Sequence, residues 1–240
     1  MLTSEMIKQK ARELGASVCG IGRIYEEPDP QRDPRQILPN AKCIVGFGFV
    51  IPKTFFNAMN RDVQYYTYTT LGVKAPDEEL AEVFLLKMGG MIEDEGYEAF
   101  VYRNTGARGC VSDMDGSPGN TLSPEEQIEI NENAKTSTAH HRSVQFTRAT
   151  RENNVAPDLQ FQFRLAAVAC GLGEIGWSKM LLTPEFGPLQ RVAFLFTDAE
   201  LEYDKMYAGE PLCRKCGACV RECPGGCIPA INSGKAVRVD

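Results

Sequence analysis

The sequence predicts a mixed α/β (α+β) fold, a sheet with flanking helices, followed by a small C-terminal cysteine module. Three observations point there. A helix pattern followed by a short strand pattern occurs twice, over residues 4–21 and again over 77–102. Between them, positions 41–50 read as a continuously apolar strand, the pattern of a strand buried on both faces of a sheet. Near the end, four cysteines fall in one run, Cys213-x-x-Cys216-x-x-Cys219-x-x-x-Cys223, followed by Pro224.

Positions 4–14 place Ile7, Ala11 and Leu14 on one helical face, with Gly15 as the stop. A strand is expected over 17–21, then a polar, proline-bearing stretch over 24–40, and Pro52 ends the apolar strand that follows. Positions 77–95 read as a long amphipathic helix with Leu80, Val83, Phe84, Met88, Met91 and Ile92 facing inward, Asp77 as N-cap and Gly96 as stop. The internal pair Gly89-Gly90 opposes this, each glycine costing about 1 kcal/mol relative to alanine. A strand follows over 99–102. Residues 104–121, with Gly106, Gly109, Gly116 and Gly119, read as a long surface loop, and Ser123-Pro124-Glu125-Glu126 as a capped helix start. Positions 161–170 form a buried helix or strand, 191–197 a strand, and 213–231 the cysteine module.

The cysteine spacing is that of an iron–sulfur ligand loop. Three thiolates two residues apart can wrap one cube of iron and sulfide, while a fourth cysteine before proline commonly serves a second cube. Structural zinc uses two separated C-x-x-C pairs, or a pair with histidines; the two histidines, His140 and His141, lie far upstream and, being adjacent, do not share a face. A single cube would take Cys213, Cys216, Cys219 and either Cys223 or Cys227. The chain runs 17 residues past Cys223, and residues 234–240 read as an interrupted strand or linker, so a second cysteine set beyond residue 240 is expected in a longer natural chain.

At 240 residues the chain is long enough for one large domain over 1–205 with an appended module over 206–240. Cys19, Cys43, Cys110 and Cys170 are scattered through apolar or glycine-bearing segments, where thiols behave as small hydrophobes rather than as a disulfide framework. The first residues carry no basic stretch leading into an apolar one, so a cytoplasmic location without membrane association is expected. A formal charge of −6 argues against nucleic acid as the main partner.

Gly171-Leu172-Gly173-Glu174-Ile175-Gly176 matches the dinucleotide fingerprint G-x-G-x-x-G, with Asp198 about twenty residues on. That fingerprint needs an uninterrupted helix after its third glycine. Pro184, Gly187 and Pro188 all fall within twelve residues of Gly176 and leave room for two helical turns at most, which weighs against the dinucleotide site and toward a tight turn between packed elements or a close approach to another large flat cofactor. Tyr65, Tyr66 and Tyr68 form an alternating aromatic stretch that serves either packing or proton donation.

Several stretches together resemble the cobalamin-dependent reductase superfamily of reductive dehalogenases and epoxyqueuosine reductase. They are Ala11-Arg12-Glu13-Leu14-Gly15-Ala16-Ser17-Val18-Cys19-Gly20-Ile21, then Ile37-Leu38-Pro39-Asn40-Ala41-Lys42, then Gly171 to Gly176 with Leu181-Leu182-Thr183-Pro184-Glu185-Phe186-Gly187-Pro188 and Phe196-Thr197-Asp198, just ahead of the cysteines. The resemblance implies a nitroreductase-like mixed sheet, a ferredoxin-like module with 4Fe-4S clusters, and cobalamin. Gly171, Gly173, Gly176, Thr183, Pro184, Glu185 and Gly187 would line the corrinoid site. It also implies a ferredoxin or flavodoxin-type electron donor, an unknown small-molecule substrate, and electron flow through the clusters to cobalt. The epoxyqueuosine branch carries an aspartate-tyrosine-histidine run where this chain reads Gln64-Tyr65-Tyr66-Thr67-Tyr68. The dehalogenase branch uses a tyrosine as acid, for which Tyr66 or Tyr68 is the candidate. The competing expectation is an electron-transfer or binding protein with a ferredoxin-type cluster and no corrinoid.

Overall fold

The computed structural model describes residues 2–25, 32–59, 69–102, 161–231 and 233. They fall in two compact units, one comprising Met1–Tyr25, Asn40–Asn104 and Phe163–Asp240, the other Glu26–Pro39 and Thr105–Gln162. In the second unit, Pro34–Gln36 makes one 3₁₀ turn, whose first residue is preceded by Asp33 accepting the Arg35 N–H at 2.9 Å.

The first unit is built on a four-stranded sheet. Helix α1 (Ser4–Glu13) begins at Thr3, whose hydroxyl accepts the Met6 N–H, and ends at Gly15 in the left-handed region, as expected. Strand β1 (Val18–Arg23) follows, then β2 (Cys43–Val50), α2 (Lys53–Met59), a wide π-helical coil over Thr69–Leu80, α3 (Ala81–Asp94) and β3 (Ala99–Tyr102). After residue 160 come α4 (Phe163–Ala169), the two-residue strands β4 (Glu174–Ile175) and β5 (Leu181–Leu182), β6 (Gln190–Thr197), and α5 (Ala218–Arg221). The sheet order is β1-β2-β6-β3. Every described pairing is antiparallel, where a mixed sheet was expected.

Seven of the eight β2 residues are buried, because helices cover both faces. Alternation sorts the side chains. Val45, Phe47, Phe49, Ala193 and Leu195 join Ile7, Phe84, Met88 and Ile92 in the core beneath α1 and α3. The opposite face carries Ile44, Phe194 and Phe196, and α4 packs there through Phe163, whose ring lies 5.3 Å from that of Phe194. Glycines at alternate positions of β1 and β2 let α4 come close: a Cβ on Gly20 would sit 2.0 Å from the Cys170 carbonyl oxygen.

The long helix expected over 77–95 starts later. Asp77 is not an N-cap; its carboxylate is buried in the π-helical coil and accepts a forked pair of bonds from the Arg191 guanidinium on β6. Leu80 and Val83, expected inside, are 43% and 55% exposed, whereas Phe84, Met88 and Ile92 are buried as expected, joined by Leu85, with Met91 partly buried against the same core. Pro76, which has no main-chain N–H to donate, lies inside the preceding coil, and the regular helix begins at Ala81. The predicted loop over 104–121 and the capped helix start at Ser123 lie outside the described residues. No helix among the described residues is long and apolar enough to cross a membrane.

Candidate metal centre

After β6 the chain runs along the free edge of β1. Asp204 N–H donates to the Ile21 carbonyl at 2.7 Å, and its carboxylate accepts the Ile21 N–H at 2.8 Å and pairs with Lys8. This strap holds the entry to the cysteine module against the sheet. Gly171, at φ +74°, packs on it, its Cβ position 2.5 Å from the Lys205 carbonyl oxygen.

The glycine stretch is a turn between packed elements. Gly173 meets β5 so closely that a Cβ would stand 1.9 Å from the Leu182 carbonyl oxygen, and the next element after Gly176 is the strand β5 rather than a helix. The dinucleotide reading is therefore absent from the geometry: β4 and β5 form a small hairpin instead. Thr183 is buried and exchanges main-chain bonds with Gly187 at 3.0 and 2.9 Å, closing a turn in which Pro184 and Glu185 are exposed. Its hydroxyl accepts the Phe186 N–H at 3.2 Å. The close approaches that Gly171 and Gly173 permit are thus made by the chain's own backbone.

Two residues of this stretch reach the cysteine module. Glu174 Oε1 accepts the Cys213 N–H at 2.9 Å, and the Trp177 main-chain N–H donates to Cys213 Sγ at 3.2 Å. The Trp177 indole N–H donates to the Pro229 carbonyl at 2.8 Å, so this residue ties both ends of the module, one through its main chain and the other through its side chain. Beneath it lies a cavity of about 290 Å³ lined by Cys213, Cys216 and Cys219 together with Trp177, Leu182 and Ile231. Lys215 and Gly217 take left-handed conformations that bend the backbone around this cavity, and the Arg221 guanidinium holds the turn by donating to the Cys216 carbonyl at 3.2 Å.

Cys223 and Cys227 are placed otherwise. Their sulfurs lie 3.4 Å apart, and neither lines the cavity. The Cys227 thiol, then the main-chain N–H groups around it, lower Cys223 to about 7. Among the described residues no three histidine, cysteine or carboxylate side chains converge as they would around a single metal ion. A cube asks for a different arrangement, since each thiolate binds its own iron and the sulfurs stand apart around a void. Three thiols around one cavity, with an amide donating to one sulfur, fit that requirement.

Tyr66 and Tyr68, and with them His140 and His141, lie outside the described residues. Sequence reasoning did not single out Glu174 and Trp177. The available signal was that Trp177, the chain's one tryptophan, directly follows the glycine stretch.

No protein-family model matches the chain. It is 42% identical over 74 residues to a tetrachloroethene reductive dehalogenase of Desulfitobacterium hafniense, a match spanning 30% of this chain and 13% of that protein. A solved reductive dehalogenase, described in connection with B12-dependent dehalogenation, superposes with a TM-score of 0.58 at 15% identity, over 92% of this chain and 25% of its own. Epoxyqueuosine reductase from Bacillus subtilis superposes with a TM-score of 0.53 at 16% identity, over 93% of this chain and 52% of its own. The chain therefore spans about half or less of the relatives it matches. These likenesses bear out the resemblance to the cobalamin-dependent reductase superfamily.

Proposed function

We propose that this chain, a relative of the cobalamin-dependent reductases, is an iron–sulfur oxidoreductase that passes electrons through a 4Fe-4S cluster held by Cys213, Cys216 and Cys219. The single observation that carries the reading is that these three thiols share one cavity with Trp177, whose main-chain N–H donates to Cys213 Sγ. A bound cluster supplies one-electron chemistry. The thiolates of Cys213, Cys216 and Cys219 would hold its irons, the Trp177 main-chain N–H would offset charge on the Cys213 sulfur, and the Trp177 side chain lining the same cavity would limit access of water. Cys223 and Cys227 are the candidates for the fourth thiolate.

The finer parts of the reading rest on the likeness to the superfamily. They are a nitroreductase-like body over 1–205 with a ferredoxin-like module over 206–240, a corrinoid beside the Gly171–Gly176 and Thr183–Gly187 stretches, and Tyr66 or Tyr68 as proton donor to a small-molecule substrate. A ferredoxin or flavodoxin-type protein as donor and a cytoplasmic location belong with them. The second reading, an electron-transfer protein with no corrinoid, is favoured by one observation: Gly171 and Gly173 spend their close approaches on Lys205 and Leu182.

Anaerobic purification with metal and sulfide analysis tests both. Iron and sulfide with brown absorption, lost together in Cys216→Ser, are the expected result. A colourless protein holding zinc at these sulfurs overturns the cluster. Cobalt retained after incubation with cobalamin supports the reductase, and its absence supports the carrier.

A further inference from the structure

We infer that Glu174 is a positioning residue that holds the reduction potential of the Cys213-bound centre low. The inference rests on the cluster reading above and adds a regulator of that same site. Glu174 lies on β4, and its Oε1 accepts the Cys213 N–H at 2.9 Å. This bond brings a carboxylate charge beside a thiolate. Reduction adds negative charge to a centre that is already anionic with its thiolates, so a neighbouring carboxylate disfavours it. Net charge, hydrogen bonds to sulfur and solvent exposure are the properties that set such potentials.

Three residues on, the Trp177 main-chain N–H donates to Cys213 Sγ and acts in the opposite sense. One short stretch therefore delivers a carboxylate and an amide dipole to the same cysteine. Both Glu174 and Cys213 are partly buried, so their interaction is screened less than one between fully exposed groups. Arg214 and Lys215 also border the cavity but are exposed, and water attenuates their charge.

Dye-mediated redox titration of the anaerobic protein, monitored by electron paramagnetic resonance, tests this. Glu174→Gln keeps an acceptor for the Cys213 N–H and removes the charge; its midpoint potential is expected to shift upward at unchanged iron and sulfide content. Glu174→Asp, which withdraws the charge by one methylene, is expected to shift upward by less. Glu200→Gln removes one carboxylate charge at an exposed position that pairs with Lys42 and does not border the cavity, and its potential is expected to stay at the parent value. A potential in Glu174→Gln that is unchanged or lower overturns the inference, as does an equal upward shift in Glu200→Gln, which would mark a change in net charge rather than the carboxylate at Cys213. Should Glu174→Gln fail to hold its cluster, Glu174→Asp decides by the same sign. A parent protein without iron overturns the cluster reading instead, and is distinguished by the colour of the unsubstituted chain.

Discussion

Cys19 and Cys216 are the same amino acid put to different uses by their surroundings. Cys19 packs against the core under α1, and burial pushes its thiol up to about 12, with Lys8 opposing weakly. Cys170, fully buried behind α4, is raised for the same reason. Such thiols stay protonated and act as small hydrophobes. Cys216 is exposed at the cavity rim. The raised value at Cys19 has a consequence for stability. The folded protein keeps a proton that the unfolded chain releases above its ordinary value of 9.0, so this contribution is complete below that value and is lost as pH rises toward about 12. Urea denaturation of the parent is expected to show stability falling through that window, and Cys19→Ala is expected to flatten the fall. An equal alkaline loss in both proteins would assign it to other groups. The scatter of Cys19 and Cys170 through apolar segments was enough to read them as core residues from the sequence. Glu174 was not readable as a partner of Cys213, because 39 residues separate them and no periodicity connects them.

At the level of elements, local signals predicted well wherever local physics decides. Ile7 and Ala11 at helical spacing, with Gly15 to follow, marked α1 closely, and positions 99–102 became β3 as expected. The start of α3 was misread because Asp77 has two uses, capping a helix or pairing with a distant cation. Only the arrival of β6 with Arg191 selects the second. That pair is buried on the Asp77 side, 3% exposed, and removing one partner strands the other charge. Asp77→Ala is expected to cost about 3 kcal/mol in urea denaturation, the lower end of the range for broken buried pairs because Arg191 keeps some solvent contact. A loss under about 1 kcal/mol would class the pair with surface ion pairs. The glycines of β1 and β2 teach a similar lesson. In sequence they interrupt an apolar strand, whereas in the fold they form a shallow face on which α4 lies close.

For the whole molecule, the cysteine module depends on the sheet for its position. Asp204 straps its approach to β1, Glu174 and Trp177 tie Cys213 to the β4–β5 hairpin, and Trp177 reaches across to Pro229. Cys223 and Cys227 remain outside the cavity that the other three cysteines line, so separate substitutions discriminate between them. Cys223→Ser is expected to lower the iron bound per chain, and Cys227→Ser to leave it near the parent value; the reverse pattern would move the fourth ligand to Cys227. By itself the sequence determined the α/β class and the terminal elements of the sheet, because these depend on periodicity, and it set four cysteines at ligand spacing between near neighbours. Only the tertiary structure decided that the glycine stretch is a hairpin packed on its own chain, that Asp77 is an ion-pair partner, and that a carboxylate and an amide meet at Cys213. Those outcomes depend on close approach between segments far apart in sequence, which become neighbours only when the sheet is assembled.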